Sequence, residues 1–183
     1  ALDGGNTFVL KPSAKVPLTS ILIIQLLEKA GLPKGVLNLV HGGRECVDAL
    51  LTHPKVKAIS FVGSSPVARH IYETGTRYGK RVQANGGAKN YIVVMPDADV
   101  ANTVEALTTA AFGCAGERCM AGSTALAVGH AADRVLPSLV DAARNIRVGP
   151  PDAEAQPDMG PVVKAQHRDR LLSLAPGGGG GGA

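Results

Sequence analysis

Short apolar runs alternate with longer segments of helical periodicity through the first half of the chain. The short runs are rich in β-branched residues and predict strands, whereas the longer segments carry apolar residues at helical spacing. The predicted strands are residues 7–11, 36–40, 57–62 and 81–84, and the predicted helices begin near Pro17 and span 44–52 and 66–78. This alternation is typical of βαβ units around a parallel sheet, so the pattern predicts an α/β fold.

The helix between the first two predicted strands has apolar residues on almost every side. Pro17 suits its first turn, where a missing N–H is tolerated, and Gly31 and Pro33 mark its end. A helix without a continuous polar face predicts packing on more than one side. Its longest apolar stretch, residues 18–27, is far shorter than the ~20 residues of a membrane span, so we expect no such span.

The pattern changes after residue 87. A predicted helix begins after Asp99, a residue type that caps helix N-termini, and carries an apolar stripe. That stripe consists of Val100, Val104, Leu107 and Ala111. The other predicted segments are a strand at 91–95, a glycine-rich loop at 113–122, a strand at 124–128, a helix at 133–146, a proline-rich stretch at 148–163 and a glycine-rich tail at 175–183.

Composition narrows the classes of function. The 183 residues suffice for one domain or for two incomplete ones. Apolar residues make up 45% and aromatic residues only 3%, without Trp, so the core must consist of Ala, Val, Ile and Leu. The net charge of +4 comes from scattered bases. Because nucleic-acid binding uses basic patches interleaved with stacking aromatic residues, this composition argues against it.

The three cysteines, Cys46, Cys114 and Cys119, are an odd number in a chain without a recognisable secretory signal, which favours reduced thiols in the cytoplasm. No further Cys or His pair follows at zinc-ligand spacing, so we expect no metal site. Cys119 lies between glycines that allow a substrate to approach, and the neighbouring Arg118 favours a thiolate. A small buried hydrophobe is the alternative for Cys119 and the expectation for Cys46 and Cys114.

The turn at Gly63–Ser64 joins an apolar strand to a helix. Unpaired N–H groups and a positive partial charge at the helix N-terminus suit a phosphate, and glycine lets it approach the backbone. An ordinary turn is the alternative, since the G-x-G-x-x-G fingerprint is absent there. Lys11, at the end of a predicted strand, suits a ribose or a phosphate, with a solvated strand end as its alternative. Taken alone, Asn85–Gly86 is a turn.

Four ordered segments resemble the aldehyde dehydrogenase superfamily. They are residues 5–13 (GNTFVLKPS), 61–64 (FVGS), 116–121 (GERCMA) and 158–162 (DMGPV). The resemblance covers residues 4 to about 174 and implies an aldehyde dehydrogenase-like α/β fold. It implies a Rossmann-like, parallel-sheet NAD-binding lobe in residues 1–86 and part of an α/β catalytic lobe, with Cys119 as nucleophile, in residues 87–174.

Two further segments, residues 81–90 (RVQANGGAKN) and 38–42 (NLVHG), resemble the CoA-acylating methylmalonate-semialdehyde dehydrogenase family. Hydrolytic relatives carry a glutamate, the general base that activates water, at the position of Asn85. An amide cannot take a proton from water at neutral pH. The resemblance therefore implies that the acyl thioester survives water and reacts with the thiolate of CoA.

The implied reaction is the oxidation of malonate or methylmalonate semialdehyde. Cys119 adds to the aldehyde as a thiolate, the adduct gives hydride to NAD, and the acyl group passes to CoA with loss of carbon dioxide. The resemblance also implies a homotetramer. The implied cofactor-binding residues are Lys11, Ala14 and Lys15 toward the adenosine ribose, Gly63 and Ser64 toward the pyrophosphate, and Gly86 near the nicotinamide.

Several positions depart from the family pattern. Ala14 replaces a glutamate that bonds the adenosine ribose hydroxyls, which leaves the choice between NAD and NADP open, and Glu117 replaces a glutamine beside the nucleophile. Relatives place an oxyanion-hole asparagine upstream of residue 1, and losing one such donor costs ~100 to 1000-fold in rate. We therefore expect a partial chain with little activity alone. The alternatives are a hydrolytic aldehyde dehydrogenase and a non-catalytic nucleotide-binding fragment.

Overall fold

The computed structural model describes residues 2–154 and 156–174. The chain divides between Gly86 and Gly87 into two compact units, called here the first unit and the second unit. Within the described residues, each strand pairs in parallel with one other strand, and the two are joined through a helix. The structure thus contains the predicted βαβ connections. The predicted glycine-rich tail, residues 175–183, lies outside the described residues.

The first βαβ connection contains β1 (Phe8–Leu10), α1 (Pro17–Lys29) and β2 (Leu37–Leu39), after a short 3-10 helix at Leu2–Gly4. The predicted Pro17 start of α1 is confirmed. Gly31 follows α1 with a φ of +94°, a left-handed conformation that glycine adopts without strain, and its N–H donates to Glu28. This turn leads the chain into β2 alongside β1.

The rest of the first unit contains α2 (Arg44–Thr52), β3 (Ala58–Val62), α3 (Ser65–Arg77) and β4 (Arg81–Asn85). Leu51, Ala68 and Ile71 are buried between the helices and the strands. Gly75 lets α3 approach the strands closely, because a Cβ there would lie 2.7 Å from Cγ2 of Val82. Nε2 of His70 on α3 lies 2.6 Å from the carboxylate of Asp48 on α2 and lowers the pKa of Asp48.

Lys80 is buried in the loop between α3 and β4, with 7% of its surface exposed. Its ammonium group donates to the carbonyl oxygens of His53 at 2.6 Å and Val56 at 2.7 Å. A buried ammonium needs such acceptors because it has lost its water. Lys80 therefore ties the segment after α2 to the start of β4.

The second unit contains β5 (Asn90–Val94), α4 (Val100–Phe112), β6 (Gly122–Ala127), α5 (Ala131–Arg144) and α6 (Ala165–Leu174). The predicted Asp99 cap is confirmed, since its carboxylate accepts from the N–H of Asn102 at 2.9 Å. The core of this unit consists of the buried side chains Val94, Leu107, Ala131 and Val135. Both Val100 and Val104 of the predicted stripe pack against this core.

Two features differ from the sequence-based expectations. The predicted packing of α1 on more than one side is wrong for the described residues, because α1 packs mainly on β2 and has no buried residue. Leu18, Leu22 and Leu26 are each more than half exposed. Helix α6 was not predicted, because its polar sequence lacks a clear apolar stripe. Among the described residues, no helix has the length and hydropathy needed to cross a membrane.

Candidate active site

Cys119 lies in the loop between α4 and β6, called here the cysteine loop (residues 113–122). A short 3-10 turn, Gly113–Gly116, opens the loop. Cys114 and Ala115, both at a φ of +54°, adopt left-handed conformations that are strained for residues with a Cβ, and Gly116 follows at +68°. Consecutive left-handed residues reverse the chain abruptly. Such strain is typical of functional loops.

The thiol of Cys119 is presented on a tight turn. The N–H of Ala121 donates to the carbonyl of Arg118 at 3.0 Å, which places Cys119 and Met120 at the two central positions. Cys119 is exposed and 84% of Met120 is accessible, so a small molecule in solution can reach the sulfur. The alternative of a buried hydrophobe is wrong for Cys119. It is also wrong for Cys114, which the left-handed turn leaves exposed.

The side chain of Asn90, the first residue of β5, makes hydrogen bonds to this turn. Its side-chain amide donates to the carbonyl oxygens of Cys119 at 2.9 Å and Ala121 at 3.0 Å. The carbonyl of Asn90 accepts from the hydroxyl of Ser123 at 3.2 Å. This contact was not predicted from the sequence, although Asn90 is the last residue of a segment that resembles the family. An asparagine at the start of a strand was the available signal, because asparagine is otherwise disfavoured in strands.

The two charged residues before Cys119 each contact a neighbouring helix. Arg118 donates from its guanidinium to the carbonyl of Thr109 on α4 and passes over Gly113, where any Cβ would clash with it. The carboxylate of Glu117 lies 3.1 Å from Nε2 of His167 on α6. Both side chains therefore anchor the cysteine loop to neighbouring helices.

In the first unit, the structure brings together the residues predicted to bind a pyrophosphate and a nicotinamide. The N–H of Gly63 donates to the carbonyl of Asn85 at 3.1 Å, so the end of β4 lies beside the turn into α3. Gly86 lies against Ser65, the first residue of α3, because a Cβ on Gly86 would lie 3.1 Å from Cα of Ser65. Ser64 occupies the N-cap of α3 and makes no side-chain capping hydrogen bond.

This arrangement fits a diphosphate. Helix α3 directs its N-terminal backbone groups and the positive end of its dipole toward Ser64. The hydroxyl of Ser64 is a further donor, and Gly63 and Gly86 keep Cβ atoms out of the turn. The residues present therefore match the chemistry of the pyrophosphate in a dinucleotide cofactor.

Lys11 lies at a different strand pair. Its ammonium donates to the carbonyls of Pro12 at 2.7 Å and Gly42 at 3.1 Å, which ties the ends of β1 and β2 together. These two hydrogen bonds use two of the three protons of the ammonium group. Ala14 and Lys15 are exposed in the following loop, where the N–H of Lys15 donates to the hydroxyl of Ser13 at 3.3 Å.

The segment at residues 158–162 is fixed by a bidentate ion pair. Nε and Nη2 of Arg147 donate to the two carboxylate oxygens of Asp158 at 3.0 and 2.9 Å. The hydrogen bonds from Arg147 lower the pKa of Asp158 to about 2. No group of three or more His, Cys, Asp or Glu residues in the described part of the chain is arranged to hold a metal ion.

Comparison with known proteins identifies the family of the chain. The model of the aldehyde dehydrogenase family matches residues 1–181. The chain is 50% identical over 178 residues to the human methylmalonate-semialdehyde/malonate-semialdehyde dehydrogenase [acylating], mitochondrial, covering 97% of this chain and 33% of that protein.

Many solved structures are similar, and two of them are described here. One is methylmalonate-semialdehyde dehydrogenase from Oceanimonas doudoroffii, with 52% identity and a TM-score of 0.86 over 92% of this chain and 35% of the other. The second is 1-pyrroline-5-carboxylate dehydrogenase from Thermus with bound NAD, with 33% identity and a TM-score of 0.82 over 93% and 34%. The chain spans about a third of the length of the curated relatives it matches. The family match covers nearly every residue, so the chain belongs to the aldehyde dehydrogenase family.

Proposed function

We propose that this chain carries the nucleophile and part of the NAD site of a CoA-acylating semialdehyde dehydrogenase. The reaction is oxidation of malonate or methylmalonate semialdehyde to acetyl-CoA or propionyl-CoA. The observation that carries the proposal is the exposed thiol of Cys119 on a turn held by the side chain of Asn90. The acylating relative named above, 50% identical, supports the choice of substrate and of acyl acceptor.

In the proposed reaction, Cys119 acts as a thiolate. It adds to the aldehyde carbon to form a thiohemiacetal, and loss of hydride from that carbon leaves an acyl thioester on the sulfur. The thiolate of CoA then attacks the acyl carbon, which releases acyl-CoA and regenerates the thiolate of Cys119. The carboxylate of the malonate-type substrate leaves as carbon dioxide, and the carbon that carried it takes up a proton from solvent.

In this proposal, Asn85 determines whether water or the thiolate of CoA attacks the acyl thioester. Its backbone is fixed beside Gly63 at the end of β4. Its side-chain amide has no basic lone pair able to take a proton from water at neutral pH. Water is therefore a poor nucleophile at this position, and the thiolate of CoA, which needs no general base, is the better one.

The cofactor proposed is NAD, which supplies the hydride acceptor when bound. Ser64 and the N-terminus of α3 would hold its pyrophosphate, with Gly63 and Gly86 allowing close approach. The remaining proton of Lys11 would donate to the adenosine ribose, with Lys15 nearby in sequence. Since Ala14 offers no carboxylate to the ribose hydroxyls, this position is compatible with the 2′-phosphate of NADP as well as with NAD.

The setting of the protein is also a proposal. Residues 1–86 would belong to the NAD-binding lobe and residues 87–174 to the catalytic lobe. The mechanism needs a free thiol, which favours a reducing compartment such as the cytoplasm, although the human relative is described as mitochondrial. We further propose homo-oligomeric assembly in a longer protein and little activity from this chain alone.

A test of the chemistry uses p-nitrophenyl acetate, an ester that acetylates reactive thiols. Mass spectrometry then follows the acetyl group on Cys119 in buffer and after addition of CoA. We expect the acetyl thioester to persist in water and to be removed by CoA, and we expect Asn85→Glu to shorten its lifetime in water. Hydrolysis at one rate with and without CoA would instead support a hydrolytic enzyme. A failure to acetylate Cys119 would support a non-catalytic nucleotide-binding fragment.

A further inference from the structure

We propose that Asn90 is a positioning residue for Cys119, which holds the backbone of the turn that presents the thiol. The inference rests on the proposed role of Cys119 as nucleophile. It assigns to Asn90 a task distinct from substrate or cofactor contact, because its amide acts on the peptide backbone of the cysteine loop.

The geometry matches the donors of a primary amide. The two N–H groups on Nδ2 of Asn90 meet the carbonyls of Cys119 and Ala121, which lie on either side of Met120. Both distances, 2.9 and 3.0 Å, are those of well-formed hydrogen bonds. One rigid side chain thus connects both ends of the exposed half of the turn to the start of β5.

The other anchors of the cysteine loop act on its preceding residues. Arg118 is tied to α4 and Glu117 to α6 through their side chains. The hydrogen bond from Ala121 to Arg118 closes the turn, whereas the amide of Asn90 acts on the carbonyl of Cys119 itself. Reacting atoms must be placed to within about 1 Å for efficient catalysis. A hydrogen bond to the nucleophilic residue therefore affects the reaction rate more than its small contribution to the stability of the fold suggests.

The strand pairing around Asn90 provides a control variant that tests whether Asn90 acts on the turn or only on the pairing of β5 with β6. Between Asn90 and Tyr91 the register of β5 against β6 shifts, so that Asn90 faces Gly122 and Tyr91 faces Thr124. The residue passed over, Ser123, donates its hydroxyl to the carbonyl of Asn90. Ser123→Ala removes this strand-end hydrogen bond and leaves the amide of Asn90 in place. It is therefore the matched control.

The experiment measures alkylation by iodoacetamide from pH 6 to 10, with Cys119 and Cys114 quantified separately by peptide mass spectrometry. Cys114 is exposed in the same loop and serves as the internal reference. Asn90→Ala removes both hydrogen bonds to the turn, and with them the partial positive charge of the amide hydrogens at the carbonyl of Cys119. We expect the ratio of Cys119 to Cys114 alkylation at pH 7 to fall by about threefold or more, because the thiolate is both less favoured and less fixed.

Asn90→Asp keeps the size of the side chain and places a carboxylate against two carbonyl oxygens. We expect it to move the alkylation profile of Cys119 to higher pH while the profile of Cys114 stays in place, because a nearby negative charge disfavours the thiolate. This shift would show that residue 90 lies close enough to act on the sulfur, and Ser123→Ala, which adds no charge, should not produce it. Because Asn90→Asp is isosteric, it also serves if Asn90→Ala fails to fold.

Hydrogen exchange provides an independent measurement. In Asn90→Ala, the amides of residues 116–122 should exchange about tenfold faster, while those of α4 and α5 keep their protection. Ser123→Ala should behave as the unmodified chain in both experiments.

The proposal is overturned if both Asn90 variants keep the alkylation ratio and pH profile of the unmodified chain. It is equally overturned if Ser123→Ala reproduces their effects, since strand pairing would then be responsible. A Cys119 that is alkylated but is never acetylated by p-nitrophenyl acetate would contradict the proposed function instead. The experiments therefore distinguish a failure of the role proposed for Asn90 from a failure of the function proposed for Cys119.

Discussion

The carboxylate of Glu117 lies 3.1 Å from Nε2 of His167, so the acidic residue two positions before Cys119 is directed at α6. Both side chains are about one-third exposed, at 35% and 34%. A carboxylate free to turn toward Cys119 would disfavour its thiolate. The contact with His167 therefore limits the effect of replacing the family's glutamine by Glu117.

Removing His167 tests this relationship. We expect His167→Ala to slow alkylation of Cys119 at pH 7 by roughly twofold to fivefold, because the released carboxylate can approach the sulfur. The double variant Glu117→Gln/His167→Ala should restore the rate, since it carries no carboxylate there. Peptide mass spectrometry with Cys114 as reference provides the measurement. Unchanged alkylation in His167→Ala would show that Glu117 does not act on the thiol.

We expect substitution of Lys80 to lower the free energy of unfolding of the first unit. Lys80→Met removes the buried ammonium group from which the carbonyls of His53 and Val56 accept hydrogen bonds, which should destabilise the fold by roughly 1 to 3 kcal/mol. Lys57 is the matched control, because its exposed side chain donates to the carbonyl of Pro54 at 2.9 Å. Lys57→Met should cost less than about 0.5 kcal/mol. Equal unfolding midpoints in urea for the two variants would contradict the role given to Lys80.

The ion pair between Arg147 and Asp158 predicts a specific pH dependence. The pKa of Asp158 is lowered in the folded chain to about 2 from an ordinary value of 3.8, so folding favours its ionised form. Its stabilising contribution is therefore fully present above about pH 4 and is lost as the pH falls from 4 toward 2. Asp158→Asn should lower the melting temperature at pH 6, and the difference should shrink between pH 4 and 2. A difference that is constant with pH would contradict this prediction.

Gly86 predicts an effect on cofactor binding. A Cβ at this position would lie 3.1 Å from Cα of Ser65 and 2.8 Å from its hydroxyl oxygen, so Gly86→Ala should displace the N-terminus of α3. We expect the Kd for NAD, measured by calorimetry, to rise by about tenfold. Gly160→Ala is the control, because a Cβ there meets no atom within 4 Å. Equal affinities for the two variants would argue against the proposed pyrophosphate site.

Local signals in the sequence predicted much of the fold. Helix α2 begins and ends at the predicted residues, and the start of α4 follows from the cap at Asp99. Periodicity and capping depend on neighbouring residues, which is why they can be recognised in one sequence. The exposure of α1 could not be predicted, because it depends on which surfaces other segments cover. The buried ammonium of Lys80 was missed for the same reason.

In the candidate site, too, local features could be predicted from the sequence, whereas contacts between distant segments could not. Motif resemblance identified Cys119, and the adjacency of Asn85 to Gly63 follows from the parallel pairing of β3 and β4. The amide of Asn90 was missed because its partners are 29 and 31 residues away in the sequence. The exposure of Cys114 depends on two left-handed residues without glycine, which no pattern of residue types indicates.

Reaction of the chain with an aldehyde analogue that traps thiols covalently, in the presence of NAD, tests the role of Cys119 most directly. The proposal predicts labelling of Cys119 in preference to Cys114, although both are exposed, with loss of that labelling in Cys119→Ala and retention in Cys114→Ala. Equal labelling of the two cysteines, or an unlabelled Cys119, would contradict it.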